Sequence, residues 1–113
     1  MSHTIQDLAR QQCIPLHGVE NRLSPEWIAR GMQALTGWRI QDNELVKEFQ
    51  FSDYYRSIAF VNALVYVAHA QDHHPDLSVH YNRVQVRFST HDVGGLSLND
   101  FICAAKVDAL VKA

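Results

Sequence analysis

The run from Tyr54 to Ala70 is the feature that most narrows what this chain can become. It is a continuous helix candidate of about five turns, and Ser52-Asp53 immediately before it offers a cap. Ile58, Val61, Leu64, Val65 and Ala68 make one apolar stripe, while Phe60, Ala63, Tyr66 and Val67 leave the rest of the surface more apolar than a solvent-facing helix normally is. A helix apolar on more than one side needs two partners. The predicted partners are a sheet of its own chain and another subunit. A chain of 113 residues holds one modest core, so a single compact domain is expected.

The sheet is predicted from two paired runs. Trp38 to Ile40 and Leu45 to Phe51 flank the polar turn cluster Gln41-Asp42-Asn43-Glu44, and the second run sets Leu45, Lys47, Phe49 and Phe51 against Val46, Glu48 and Gln50. After Pro75, Leu77, Val79 and Tyr81 alternate with polar residues. A tight turn near Asn82-Arg83 leads to Val84, Val86 and Phe88. Ser24-Pro25-Glu26 begins a first helix carrying Trp27, Ile28, Met32 and Leu35 inward. Ser97 and Asp100 read as the capping box of a last helix whose Phe101, Ala104, Ala105, Val107 and Leu110 face the core. The predicted fold class is α+β, a four-stranded antiparallel sheet with three helices packed on one face, in the order α-β-β-α-β-β-α. Residues 24-113 form the domain. Residues 1-23 form a weakly ordered segment or short helix, with Thr4 and Asp7 as its capping pair.

The chemistry-bearing residues gather between His69 and Asp100. His73 and His74 stand where the helical run stops before Pro75, and Ser89-Thr90-His91 ends the last strand. Histidine titrates near neutrality, so imidazoles converging on one pocket supply both a proton donor and a proton acceptor at physiological pH. Mutual repulsion keeps at least one of three neighbouring rings neutral, and a helix carboxyl end favours the charged form of the ring closest to it. If the helix continues far enough, His69 and His73 share a face.

The order His73-His74-Pro75, Tyr81, His91, Asp100 resembles the signature of the pterin-4a-carbinolamine dehydratase family, and the similarity extends through Gly37-Trp38, Lys47-Glu48-Phe49-Gln50-Phe51 and Gly94-Gly95-Leu96-Ser97. It covers residues 24 to 110. One position departs: the residue four before His73 is commonly acidic in the family and here is His69. The resemblance implies the same architecture, assembly into homodimers or homotetramers, and dehydration of a 4a-hydroxytetrahydropterin to quinonoid dihydropterin, which recycles the pterin of an aromatic amino acid hydroxylase. It implies His73, His74 and His91 as catalytic residues lining one cleft for a flat bicyclic ligand. His73 and His91 assist hydroxyl departure, and His74 orders the substrate and acts as base. Ser89, Thr90 and Asp100 are implied as substrate-binding residues. No metal and no cofactor are required.

Other classes are disfavoured by composition. A formal charge of -2 gives no basic surplus for direct nucleic-acid contact or an anionic membrane. Cys13 and Cys103 show no metal-type or redox-type spacing, which suits a reducing, cytoplasmic setting. The amino terminus has no signal-like segment, and no apolar stretch has membrane-spanning length. Two rival readings stand beside the dehydratase. One is a metal site on His69, His73, His74 and His91. The other is a dimerisation or scaffolding protein of the same fold with little or no catalysis, since the resembled family has a member that also stabilises a homeodomain transcription factor dimer.

Overall fold

A computed structural model describes residues 7-111. The main elements are α1 (Pro25–Ala34), β1 (Arg39–Gln41), β2 (Glu44–Gln50), α2 (Tyr54–Gln71), β3 (Asp76–Val79), β4 (Arg83–Phe88) and α3 (Leu98–Ala109). The fold is α+β with the expected element order. All strand pairings are antiparallel and the sheet order is β1-β2-β4-β3.

Register follows from the period-two pattern. Leu45 lies opposite Phe88, Phe49 opposite Val84 and Leu77 opposite Val86, so the apolar side chains of three strands share one face. The β1-β2 hairpin turns on Asp42 and Asn43, both in the left-handed region at φ 53 and 61, the geometry whose twist matches paired strands. Ser24 accepts the Trp27 amide to start α1, and Asp53 accepts the Arg56 amide to start α2.

On the apolar face, Phe60 of α2 packs against Phe49 and Phe51 at centroid distances of 4.7 and 5.1 Å. Trp27 of α1 meets Phe101 of α3 edge to face at 4.9 Å. Lys47 reaches through this layer to Asp108 at 2.8 Å, and the same carboxylate accepts the Trp38 indole N–H at 3.0 Å.

Two inward faces differ from expectation. The stripe α2 buries is Ser57, Phe60, Leu64 and Ala68, whereas Val65 is exposed. Ser57 tolerates burial because its hydroxyl lies within hydrogen-bonding reach of the carbonyls of Asp53 and Tyr81, so a polar residue occupies a core position that an apolar pattern skips. Leu110, expected inside, is exposed, while Asn99, Ile102 and Cys103 of α3 are buried.

The amino-terminal segment accounts for much of that extra burial. Thr4 lies outside the described residues. From Asp7 onward the chain makes a single helical turn at Leu8–Arg10 and then runs extended as a strap along α3. Leu8 enters the core and Lys106 donates to the Ala9 carbonyl at 2.8 Å. Asn99 holds the strap at both backbone groups of Ile14, accepting from its N–H at 3.3 Å and donating to its carbonyl at 2.7 Å.

Candidate active site

α2 ends before the histidine pair. Asp72 takes a left-handed conformation at φ 51, its N–H returns to the His69 carbonyl and the His73 N–H to the Ala68 carbonyl. The helix therefore does not carry His69 and His73 on a shared face. His69 is exposed on its last turn, and the chain reversal directs His73 inward.

His73 donates from Nε2 to Asp100 Oδ1 at 2.6 Å, and its ring lies nearly parallel to Phe88, 7° between planes with centroids 5.9 Å apart. Asp100 is fully buried at the start of α3. Its Oδ2 accepts from the Ser97 N–H at 2.9 Å and from the Thr90 hydroxyl at 2.8 Å. Because Thr90 spends its single proton on Asp100, the 2.8 Å contact between Thr90 Oγ1 and Ser97 Oγ has Ser97 as donor. One carboxylate thus closes the capping box and anchors the imidazole.

Burial pulls the His73 pKa down, but the hydrogen bond and negative charge of Asp100 outweigh it, with smaller help from Cys13 and Asp72. The ring stays protonated above the ordinary 6.5.

Two hollows flank this chain of hydrogen bonds. One, of about 390 Å³, is walled by the strap from Cys13 to His17, by the end of α2 and the Asp72-His73 step that follows it, and by Thr90, Asp92 and Asn99. The other, of about 210 Å³, is walled by the β1-β2 turn, Ser89, Thr90, His91 and Gly94-Gly95. Thr90 lines both.

The expectation that three imidazoles line one cleft is corrected here. His73 opens on the larger hollow and His91 on the smaller, while His74 lines neither and is exposed. The cause is local: past the reversal at Asp72 successive residues project in different directions, and with His73 turned to Asp100 its neighbour is turned out. Ser89 sits 3.4 Å from Glu44, which is itself paired with Arg87. Asp100 has no exposed surface for direct contact with a ligand. Among the described residues, no group of three or more His, Cys, Asp or Glu side chains is placed to hold a metal ion.

A model of the family described as pterin 4 alpha carbinolamine dehydratase matches residues 21-110. The chain belongs to this family. Among curated dehydratase relatives, a protein of Nitrosospira multiformis is 51% identical over 110 residues, covering 97% of each chain. Another, from Stenotrophomonas maltophilia, is 51% identical over 107 residues, covering 93% of this chain and 92% of its own. Both are named provisionally as pterin-4-alpha-carbinolamine dehydratases. A crystal structure described as a transcriptional coactivator/pterin dehydratase from Brucella melitensis superposes with TM-score 0.78 at 31% identity, over 81% of this chain and all of that one. A pterin dehydratase-like protein described as a RuBisCO assembly factor in the alpha-carboxysome gives TM-score 0.59 at 28% identity, over 68% of this chain and 92% of that one.

Against this dehydratase frame, the residues that sequence reasoning missed are on the strap. Cys13, His17 and the backbone between them wall the His73 hollow, and His17 pairs with Asp92 at 2.9 Å. The strap has no periodic pattern that would have placed it there. Asn99, the buried amide that fastens the strap, shows its demand for backbone partners only in the folded chain.

Proposed function

We propose that this chain dehydrates a 4a-hydroxytetrahydropterin to the quinonoid dihydropterin. The observation that carries the reading is the buried Asp100 carboxylate that takes the His73 Nε2 hydrogen bond at 2.6 Å and raises the pKa of that ring at the wall of a hollow. Hydroxide leaves poorly until it is protonated, and a ring nitrogen of the pterin must then release its own proton. One acid and one base suffice. With Nε2 committed to Asp100, His73 offers a ligand the proton on Nδ1. In this scheme a flat bicyclic ligand seats against Thr90, the residue common to the hollow lined by His73 and the hollow lined by His91. Both rings assist departure of the hydroxyl. Asp100 is a positioning residue, and the backbone at Ser89 meets the amide-like edge of the pterin, the Thr90 N–H being spent on the Gly95 carbonyl at 3.0 Å and the Thr90 carbonyl on the Val93 N–H at 3.1 Å. His74 keeps the role of substrate-ordering base in this scheme, and its position outside both hollows makes it the member to test first.

The decisive assay is breakdown of 4a-hydroxytetrahydropterin with and without protein, from about pH 5 to about pH 9, the range over which imidazoles titrate. Acceleration is expected, with His73→Ala and His91→Ala each losing about 100-fold or more. Unchanged turnover in both variants overturns the mechanism, and unchanged kcat in His74→Ala removes that residue alone from it.

A second reading has its own support. Tyr55, Val65 and Tyr66 leave α2 with an apolar outer face, and two of the solved neighbours are described as a transcriptional coactivator/pterin dehydratase and as a pterin dehydratase-like RuBisCO assembly factor. On this reading the chain self-associates into a homodimer or homotetramer through α2 and serves as a scaffold, catalysis being minor. Light scattering gives the assembly size. Wild-type turnover no faster than the uncatalysed reaction favours the scaffold.

A further inference from the structure

Cys13 and Cys103 stand 90 positions apart in sequence, yet their sulfurs are 3.6 Å apart. Their surroundings are unequal. Cys103 is fully buried on α3, while Cys13 is half-buried on the strap and lines the His73 hollow. The strap is fastened on either side of the pair, by the Cys13 N–H to Gln71 Oε1 at 2.8 Å and by Ile14 to Asn99. The two sulfurs are thus held together by backbone contacts independent of either thiol.

We infer that Cys13 and Cys103 are a peroxide-oxidisable thiol pair that closes into a reversible disulfide, tying the strap to α3 at the wall of the His73 hollow. The inference goes beyond the dehydratase reading and does not depend on it. The oxidant is hydrogen peroxide or an organic hydroperoxide. The Cys13 thiolate attacks the terminal peroxide oxygen, the O–O bond breaks, and the leaving oxygen takes a proton to depart as water or an alcohol. Sulfur is oxidised to the sulfenic acid. Cys103 then attacks the Cys13 sulfur, its proton leaves with the sulfenic hydroxyl as a second water, and the S–S bond forms. In sum, two thiols and one peroxide give one disulfide and, for hydrogen peroxide, two waters.

The order of attack follows from the site. Cys13 is the sulfur that borders a hollow open to a small oxidant. The Cys103 S–H donated to it lowers its pKa against the opposing effect of burial, and His73 and Lys106 add positive potential. Cys103 keeps its proton, raised by that same hydrogen bond and by burial, and acts as the resolving thiol. Closing the pair to a bond length of about 2.05 Å requires a shift of the extended strap, with no helix to unwind on the Cys13 side. Disulfides of proteins in reducing compartments are usually of this transient kind.

The test uses the full-length protein, reduced, then exposed to a slight excess of hydrogen peroxide, quenched in acid, alkylated while denatured and weighed intact. The expected species is a monomer lighter by two hydrogens that takes up no alkylating label, regains two labels after dithiothreitol, and unfolds at a higher temperature than the reduced form. Cys103→Ser should stop at a sulfenic acid on Cys13 that dimedone traps, and Cys13→Ser should lose the mass change. Full labelling of both thiols after peroxide overturns the inference, as does a disulfide found only between chains. The wild-type mass measurement stands even if the buried Cys103→Ser variant fails to fold. Pterin turnover enters none of these readouts.

Discussion

Replacing Asp100 by asparagine changes one charge and almost no volume, and its consequences follow from three hydrogen bonds. The wild-type carboxylate accepts from His73, Thr90 and Ser97. An asparagine side chain has a single accepting atom. If its oxygen serves Thr90 and Ser97, the amide N–H₂ faces His73 and selects the neutral imidazole with Nε2 as acceptor. If the oxygen serves His73, the amide donors face the Ser97 N–H, and a buried donor is left unsatisfied. The first arrangement is cheaper. It forfeits the charge-assisted bond to His73, worth about 1.5 to 3 kcal/mol, and weakens the two others, for a total of about 2 to 4 kcal/mol near pH 6.

The pH dependence has a definite sign. The folded-state pKa of His73 lies above its ordinary 6.5, so the stability it contributes is fully present below pH 6.5 and is lost as pH rises through the folded value. Asp100→Asn removes that contribution. Its deficit relative to wild type is therefore largest near pH 6 and narrows above the folded pKa of His73, where a neutral imidazole donates an ordinary hydrogen bond worth about 1 kcal/mol. Denaturant unfolding at several pH values measures the deficit, and the His73 ring resonances followed by NMR report its pKa directly. In turnover, the variant should lose kcat more than KM and shift the acid-dependent limb to lower pH. A deficit independent of pH, together with an unmoved His73 titration, refutes the reasoning.

Three further outcomes test the frame around the site. Asp108→Ala leaves Lys47 with the Thr36 carbonyl and the Phe49 ring but no carboxylate, and the Trp38 indole N–H without its acceptor, so equilibrium unfolding should show a loss of about 1 to 3 kcal/mol. Gly31→Ala should destabilise by about 1 to 3 kcal/mol even though alanine is the better helix former, because its Cβ would lie 2.6 Å from the Trp27 ring and 2.8 Å from Phe101; thermal unfolding gives the sign. Asn99→Ala releases both backbone groups of Ile14, and faster hydrogen exchange at that amide with quicker alkylation of Cys13 should follow.

Much of the architecture was legible because local signals and tertiary demands agree. The caps at Ser24 and Asp53, the alternation through Val84, Val86 and Phe88, and the polar turn at Asp42-Asn43 each name the element that forms there. The inner stripe of α2 was misplaced because Ser57 is a core residue by virtue of two backbone carbonyls near it, a context no hydrophobicity pattern contains. The end of α2 was placed by Pro75, yet the reversal occurs at Asp72, an aspartate in a backbone region where glycine would have been the readable sign. For the site, the pairing of His73 with Asp100 is compatible with a capping box that was already visible. The divergence of His74 from His73 follows the reversal at Asp72, and His91 reaches a separate hollow because it leaves β4 beside the β1-β2 turn. The strap and its thiol pair were not legible, since contacts between residues 13 and 103 arise only after the sheet and α3 are assembled.

The double duty of Asp100 has a consequence for how the site tolerates change. A carboxylate that only bound a ligand could be replaced at the expense of affinity alone. Here the same Oδ2 that takes the Ser97 N–H, and so begins α3, also takes the Thr90 hydroxyl at the wall between the hollows, while Oδ1 fixes the ring of His73. Loss of the proton on His73 is therefore felt at the start of a helix that carries Phe101, Cys103 and Val107 into the core. A substitution at the site that preserves a negative, doubly accepting group in this position should keep the fold. A substitution that removes it should lower stability and disturb imidazole titration together. Separating those two effects requires Thr90→Val, which deletes one donor to Oδ2 and the acceptor of the buried Ser97 hydroxyl but leaves the His73 bond standing: the stability loss should be about 1 to 3 kcal/mol with the His73 titration nearly unmoved. A His73 pKa that falls in Thr90→Val as far as in Asp100→Asn would show that the network, and not the carboxylate alone, sets the charge of the ring.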